Sequence, residues 1–331
     1  MILYLLFYIN LELTYRQDLK GNIWPCPVCF SFSSNLIFAG LPDGRIKIWD
    51  TSSLKEIKTY PAHKGRVTAL LPAPQENYLI SAGDDGYIKI WEIDIAKEYK
   101  TLPGADWETD LALSPDGGYL VSEGVNKILN IWRRDDWSML KTLKVNQRPN
   151  SLAFSPNGEY FAIGGIDGEI TIFDVSNWQV IKVLNAHGSS VSALSFSPKN
   201  DWLASGGRDG IVKLWDIKNW SEIKSLDFSS NITDIRFHPN GKYLFIANEQ
   251  APCLFDIPRL LLSGRLLKAF GKNAIKVIRI DDWSVTSEVG LKGSPTSLSV
   301  SPDGRYLIAN AGKENRCNIA FFKIEIGKEE R

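Results

Sequence analysis

Two sets of residues have the makings of a hydrolytic centre. His63, Ser81 and Asp85 stand 18 and 4 residues apart, and His187, Ser205 and Asp209 repeat those intervals. A histidine between a hydroxyl and a carboxylate is the arrangement that activates a serine nucleophile. Duplication argues against it, because a single active site needs only one such set. A second candidate is Cys26-Pro27-Val28-Cys29. As a redox pair it expects a strand-to-helix setting, whereas here it leads into a strand. As half a zinc site it needs a second ligand pair, and Cys253 and Cys317 are isolated. Buried free thiols are the expectation. No phosphate-cradling GxxxxGK[ST], no helix-opening GxGxxG and no HExxH occurs. The carboxylate pairs Asp84-Asp85 and Asp281-Asp282 fall in turns and read as solvated. Neither a metal nor a cofactor is expected.

The elements that must carry these residues are repeats. Ser-Pro-Asp-Gly at Ser114–Gly117 returns as Ser-Pro-Asn-Gly at Ser155–Gly158, and the prolines Pro115, Pro156, Pro198 and Pro239 are 41, 42 and 41 residues apart. The aromatic residues Trp49, Trp91, Trp132, Phe173 and Trp215 follow at 42, 41, 41 and 42. Two independent markers thus share one period. Within a unit the pattern is four short strands: Val191–Phe196, Trp202–Ser205, Ile211–Trp215 and Glu222–Leu226. Asp-Gly at Asp43, Asp85, Asp167 and Asp209 joins the second strand to the third, the strongest short hairpin signal. A four-stranded meander cannot bury its faces alone, so neighbouring units must stack.

Trp49-Asp50 and Trp215-Asp216, with the near variants Trp91-Glu92 and Phe173-Asp174, resemble the dipeptide that names the WD-repeat β-propeller family. The period, the Asp-Gly turn six residues before the aromatic and the Ser-Pro-Asp-Gly turn are similar to that family over nearly the whole chain. Ala62-His63 and Ala186-His187 stand where the family usually has Gly-His. The resemblance implies an all-β fold: one seven-bladed β-propeller of four-stranded antiparallel blades, spanning 1–331 and closed by the N-terminal strand. The blades fall at about 22–60, 61–102, 103–143, 144–184, 185–226, 227–289 and 290–324. The last has three recognisable strands, and the apolar segment at 2–13 is expected to supply its fourth. Ile2–Ile9 is far shorter than the ~20 residues a membrane-spanning helix needs, and it has no basic leader or cleavage site.

The family also implies that His63, Ser81, Asp85 and Trp91, and likewise His187, Ser205, Asp209 and Trp215, form buried hydrogen-bond tetrads. The imidazole bridges hydroxyl and carboxylate, and the indole N–H finds an acceptor. Blade six carries an insertion at about 249–271. Aligning Arg279–Ser284 with Arg133–Ser138 places its third strand at about 274–280, so that the insertion follows the second strand. The rival alignment takes Leu254-Phe255-Asp256 as the third strand, with the insertion after it. Asp256, Pro258 and Gly271 suggest a short helix within the insertion.

The repeat alignment singles out the residue just before each first strand: Trp24, Arg66, Trp107, Arg148, Ser190, Asn231 and Ser294. In a propeller these share one face, around the channel mouth. Trp and Arg are enriched at binding hot spots, and Arg66 and Arg148 suit acidic or phosphorylated groups. Beside them, the residues before the turn aspartates vary: Pro42, Asp84, Ile166 and Arg208. The expected function is a non-catalytic, cytoplasmic protein-interaction scaffold that presents Trp24, Arg66, Trp107, Arg148 and Arg208 to a peptide or partner domain. Two alternatives are a lactonase-like hydrolase with a channel metal and a reader of modified peptides. The first needs inward His, Asp or Glu from several blades, and no such set is seen. The second needs an aromatic cage, and Trp24 and Trp107 lie two blades apart. Lys plus Arg equals Asp plus Glu at 38 each, which argues against a sequence-independent grip on nucleic acid or an anionic membrane.

Overall fold

The computed structural model describes residues 10–20, 27–74, 77–94, 96–104, 110–124, 126–249, 273–291, 293–312 and 316–325. They form seven antiparallel sheets of four strands each. Blade five shows the pattern: Val191–Phe196 lies innermost, followed outward by Trp202–Gly207, Ile211–Asp216 and Glu222–Asp227. The chain is an all-β, seven-bladed propeller.

Burial grades from the axis outward and explains why the strands differ in composition. Second strands are covered on both faces by neighbouring blades and read as near-continuous apolar runs, as in Tyr160–Gly165 and Trp202–Gly207. Outer strands, such as Lys97–Pro103 and Gln179–Asn185, are exposed along most of their length. Each of the seven junctions has its own buried cluster. At the junction of blades six and seven, Phe245, Ile275 and Val277 pack on Leu298, Leu307 and Phe322. At the junction of blades seven and one, Val28, Phe30 and Ala39 pack on Ile308 and Phe321.

The first strands are additionally stapled to one another around the channel. Asp110 accepts Leu111 N–H at 2.9 Å and, across the junction, Leu152 N–H at 3.1 Å. Asp234 does the same three blades on, accepting Ile235 N–H at 2.8 Å and Leu298 N–H at 2.7 Å. Hydroxyls serve elsewhere. Ser195 Oγ accepts Phe237 N–H from the next blade at 3.3 Å. Ser297 and Ser299 accept Val28 N–H and Phe30 N–H at 3.5 and 3.3 Å, joining blade seven to blade one.

Asn10–Lys20 pairs antiparallel with Arg316–Glu325 as the outermost strand of the seventh sheet. Residues 10–13 of the expected segment 2–13 belong to it, and residues 1–9 lie outside the described residues. In blade six the third strand is Ala274–Arg279, with Ile278 opposite Leu244. Residues 250–272, which contain most of the insertion and its expected helix, fall between the second and third strands and lie outside the described residues. No helix among the described residues is long and apolar enough to cross a membrane.

Turns between third and fourth strands place a tryptophan at positive φ: Trp137 at 57°, Trp178 at 60°, Trp220 at 58° and Trp283 at 61°. A left-handed backbone costs a bulky L-residue roughly 1–2 kcal/mol. Packing on the preceding blade offsets it: Trp220 meets the Tyr160 ring edge-on at 5.3 Å, and Trp178 meets Tyr119 at 5.8 Å.

The staples give a direct test. Asp234→Ala leaves two buried N–H groups without an acceptor, at roughly 1–3 kcal/mol each. Its urea midpoint should fall by the equivalent of about 2–4 kcal/mol with the slope unchanged. An unmoved midpoint would show that the carboxylate contributes nothing to the ring.

Candidate functional site

The two His-Ser-Asp-Trp sets come together as tetrads. His63 Nδ1 faces Asp85 Oδ1 at 2.8 Å and its Nε2 faces Ser81 Oγ at 2.7 Å, while Trp91 Nε1–H donates to the same hydroxyl oxygen at 2.9 Å. In blade five, His187 Nδ1 lies 3.2 Å from both Asp209 oxygens, its Nε2 lies 2.9 Å from Ser205 Oγ, and Trp215 Nε1–H donates at 2.9 Å. A carboxylate only accepts, so Nδ1 carries the proton and Nε2 accepts from the serine O–H. The hydrogen-bond chain has the direction of a hydrolase triad, but both serines are 0% exposed and lie under an indole. No substrate carbonyl can reach them. The aspartates also hold the loop between blades, accepting Lys64 N–H and Gly188 N–H at 2.9 Å each.

The other blades keep parts of the tetrad. Among the described residues blade three shows the indole–hydroxyl bond, Trp132 to Ser122 at 3.1 Å. In blade four the buried Gln147 lies against Gly165, as His187 lies against Gly207, and its amide donates to the Glu169 carbonyl at 3.2 Å. Lys89 and Lys213 cover the tetrad indoles at 5.5 and 5.6 Å.

Burial lowers the imidazole pKa of both tetrad histidines, against the pull of their aspartates. Neutral imidazole is therefore the native form. Cys29 is free and buried in the first strand of blade one, where burial pushes its thiol well above the usual range. Burial thus disfavours the thiolate, the form that a redox or zinc role uses. Cys26 lies outside the described residues. Among the described residues no group of three His, Cys, Asp or Glu is placed to hold a metal ion.

The expected binding ring divides in two. Arg66, Arg148 and Arg208 line one cavity of about 440 Å³ at the channel mouth. Trp24 and Trp107 lie outside the described residues. The loops before the first strands and the hairpin turns form one surface, because a backbone bond ties them in blades two, four and five: Asp84 N–H to Arg66 O, Ile166 N–H to Arg148 O and Arg208 N–H to Ser190 O, all 2.9–3.1 Å. Asn231 opens the first strand of blade six opposite Glu249, the last residue of its second. Glu249, the last described residue before 250–272, therefore stands on the same face as the arginines.

The arginines are not equivalent. Arg66 is clasped by Asp84 through Nε at 3.0 Å and Nη2 at 3.2 Å, and its side chain is only 11% exposed. Arg148 is half exposed and touches Glu123 at 3.4 Å. Arg208 is exposed and has no ion pair among the described residues. Sequence reasoning missed the carboxylates of this cavity: Asp110, Glu123 and Glu249 line it too. Burial raises the Asp110 pKa to about 6. Glu123 sits in a second strand where blade two has Ala82 and blade five Gly206, and that polar residue in an apolar run was the available signal.

The family model described as IFT122 first beta-propeller matches residues 25–254, more than two-thirds of the chain. No curated protein matches it.

Two opposite pH dependences follow. The native tetrad histidines resist protonation, so stability falls as pH drops below about 6.5, the unfolded value. His187→Gln should lower overall stability and flatten that acid limb. Asp110 holds a proton that the unfolded chain releases between about 4 and 6, so its contribution falls as pH rises across that window. Asp110→Asn should reduce this second slope, to which Asp234 also contributes because burial raises its pKa. Unfolding curves across pH check both; wild-type slopes in the two variants would contradict the assignments.

Proposed function

This chain belongs to the IFT122 first beta-propeller family, and on that footing we propose that it is a non-catalytic protein-interaction scaffold acting through its channel-mouth face. The observation that carries this is the convergence of Arg66, Arg148 and Arg208, from three blades, on one cavity. The first strands beneath are locked by the Asp110 and Asp234 staples, so these side chains stand on a rigid base. Rigid presentation lowers the entropy lost on binding.

Within the ring, Arg66 acts as a fixed wall and Arg208 as the free cation. Trp24 and Trp107 precede the first strands of blades one and three and are assigned to the same face, as aromatic anchors for a peptide or partner domain. The alternating guanidinium and carboxylate groups fix orientation and register more than raw affinity. The sealed tetrad serines support the non-catalytic reading. A cytoplasmic setting is in keeping with the free thiol of Cys29.

Affinity capture should compare wild type with Arg208→Glu and with Trp107→Ala/Arg148→Ala. Each variant is expected to lose the same bound proteins, by tenfold or more in recovery, while its thermal unfolding stays at the wild-type midpoint. An unchanged partner set with the fold intact would place binding on another surface.

A further inference from the structure

On the opposite face of the ring, the turns between third and fourth strands differ in how they are capped. Where the third strand ends, blades one, four and five have an aspartate that caps the following turn. Asp50 accepts Ser53 N–H at 2.7 Å, Asp174 accepts Ser176 N–H at 2.8 Å and Asp216 accepts Lys218 N–H at 2.7 Å. Blade two has Glu92 at this position, and no hydrogen bond or ion pair engages its carboxylate among the described residues. The same holds for Asp94 in the same turn and for Asp135 in the next blade's turn. The position occupied by Trp137, Trp178, Trp220 and Trp283 in later blades is Ala96 in blade two, at φ 46°.

These departures border a cavity of about 750 Å³ between blades two and three, lined by Tyr78, Tyr99, Trp137, Glu92, Asp94 and Asp135. Arg134 also lines it. The Tyr78 and Tyr99 rings are 5.2 Å apart and tilted by 43°. Tyr99 is 54% exposed, whereas Trp137 is buried at 7%. Three carboxylates against one guanidinium give the groove a negative balance on a chain whose total charge is zero.

We propose that this groove is a second docking site, which takes a lysine or arginine side chain from a basic segment of a protein partner. Aromatic faces and uncommitted carboxylates together suit an ammonium or guanidinium group, by cation–π attraction and by charge-assisted hydrogen bonds. Glu92 is one methylene longer than the capping aspartates and is not tied to its own turn, so it can follow the incoming cation. The apolar stem of that side chain lies along the tyrosine rings. The site shares no residue with the channel mouth.

The test is fluorescence anisotropy with the whole chain and a labelled octapeptide of alternating lysine and glycine, at low salt. Saturable binding is expected, with no binding of the matching glutamate–glycine peptide. Glu92→Gln/Asp135→Asn and Tyr99→Ser should each weaken binding about tenfold or more, equivalent to about 1.4 kcal/mol. Asp281→Asn, in the corresponding turn of blade six, should leave it unchanged. Arg208→Glu should also leave it unchanged, which separates this site from the channel-mouth reading. Absent or non-saturable binding overturns the proposal. So does equal loss in Asp281→Asn, which would mark diffuse charge attraction, or wild-type affinity in the groove variants. Near-ultraviolet circular dichroism checks that each variant is folded.

Discussion

A four-stranded sheet with apolar residues on both faces has no stable existence in water by itself. Everything else in this protein follows from that constraint. Phe38, Phe161 and Phe245 are fully buried because each second strand lies between two other blades. Full burial of a large apolar side chain stabilises by roughly 1.5–3 kcal/mol, and every junction holds several. A ring is the arrangement in which each blade covers the next and none is left uncovered. The polar devices act within that frame: the tetrads fix loops to blades, and the staples fix blades to one another.

The frame also explains how the two surfaces differ. At the channel mouth, side chains from several blades converge, and the stapled first strands hold them in place. Charge is abundant but mostly committed there, with Arg66 on Asp84 and Arg148 near Glu123. Arg208 is the exception. On the opposite face the turns of blades one, three, four, five and six are capped by their own aspartates, Asp50, Asp136, Asp174, Asp216 and Asp282, and the last four of these blades also place a tryptophan there. Blade two gives up both features and leaves a groove in exchange.

Much of this was legible in the residues. The 41–42 residue period and the Asp-Gly turns define the strands of blade five to within two residues. The contact of His63, Ser81, Asp85 and Trp91 was implied by the family resemblance, and strand pairing is what fixes those positions relative to one another. Asp110 and Asp234 were not anticipated. The matching positions hold Ala69, Ser151 and Ala193, so no single blade marks the site, and the role appears only when two blades are seen side by side. Nor was the Arg66–Asp84 clasp, since the partners lie 18 residues apart and meet only through the hairpin register. At the chain's start, Ile2–Ile9 is a continuous apolar run that lies outside the described residues. The described strand begins at Asn10, where polar and apolar residues alternate in Leu11, Glu12, Leu13 and Thr14, the pattern of a strand half exposed at an edge.

The hydroxyl staples from Ser297 and Ser299 to Val28 and Phe30 span 269 residues of sequence. Most other contacts join neighbours within one or two repeat lengths, so blades two to six can assemble in order as the chain emerges from the ribosome. Blade one cannot complete its packing in that order. It is synthesised among the first and meets its second neighbour only after blade seven exists. Closing a loop of that length costs about 5 kcal/mol in chain entropy before any contact rewards it. The closing contact is therefore of the kind that slows folding, because its partners are far apart in sequence. Until then, the apolar flank of blade one formed by Val28, Phe30 and Ala39 stays open to solvent and to chaperones.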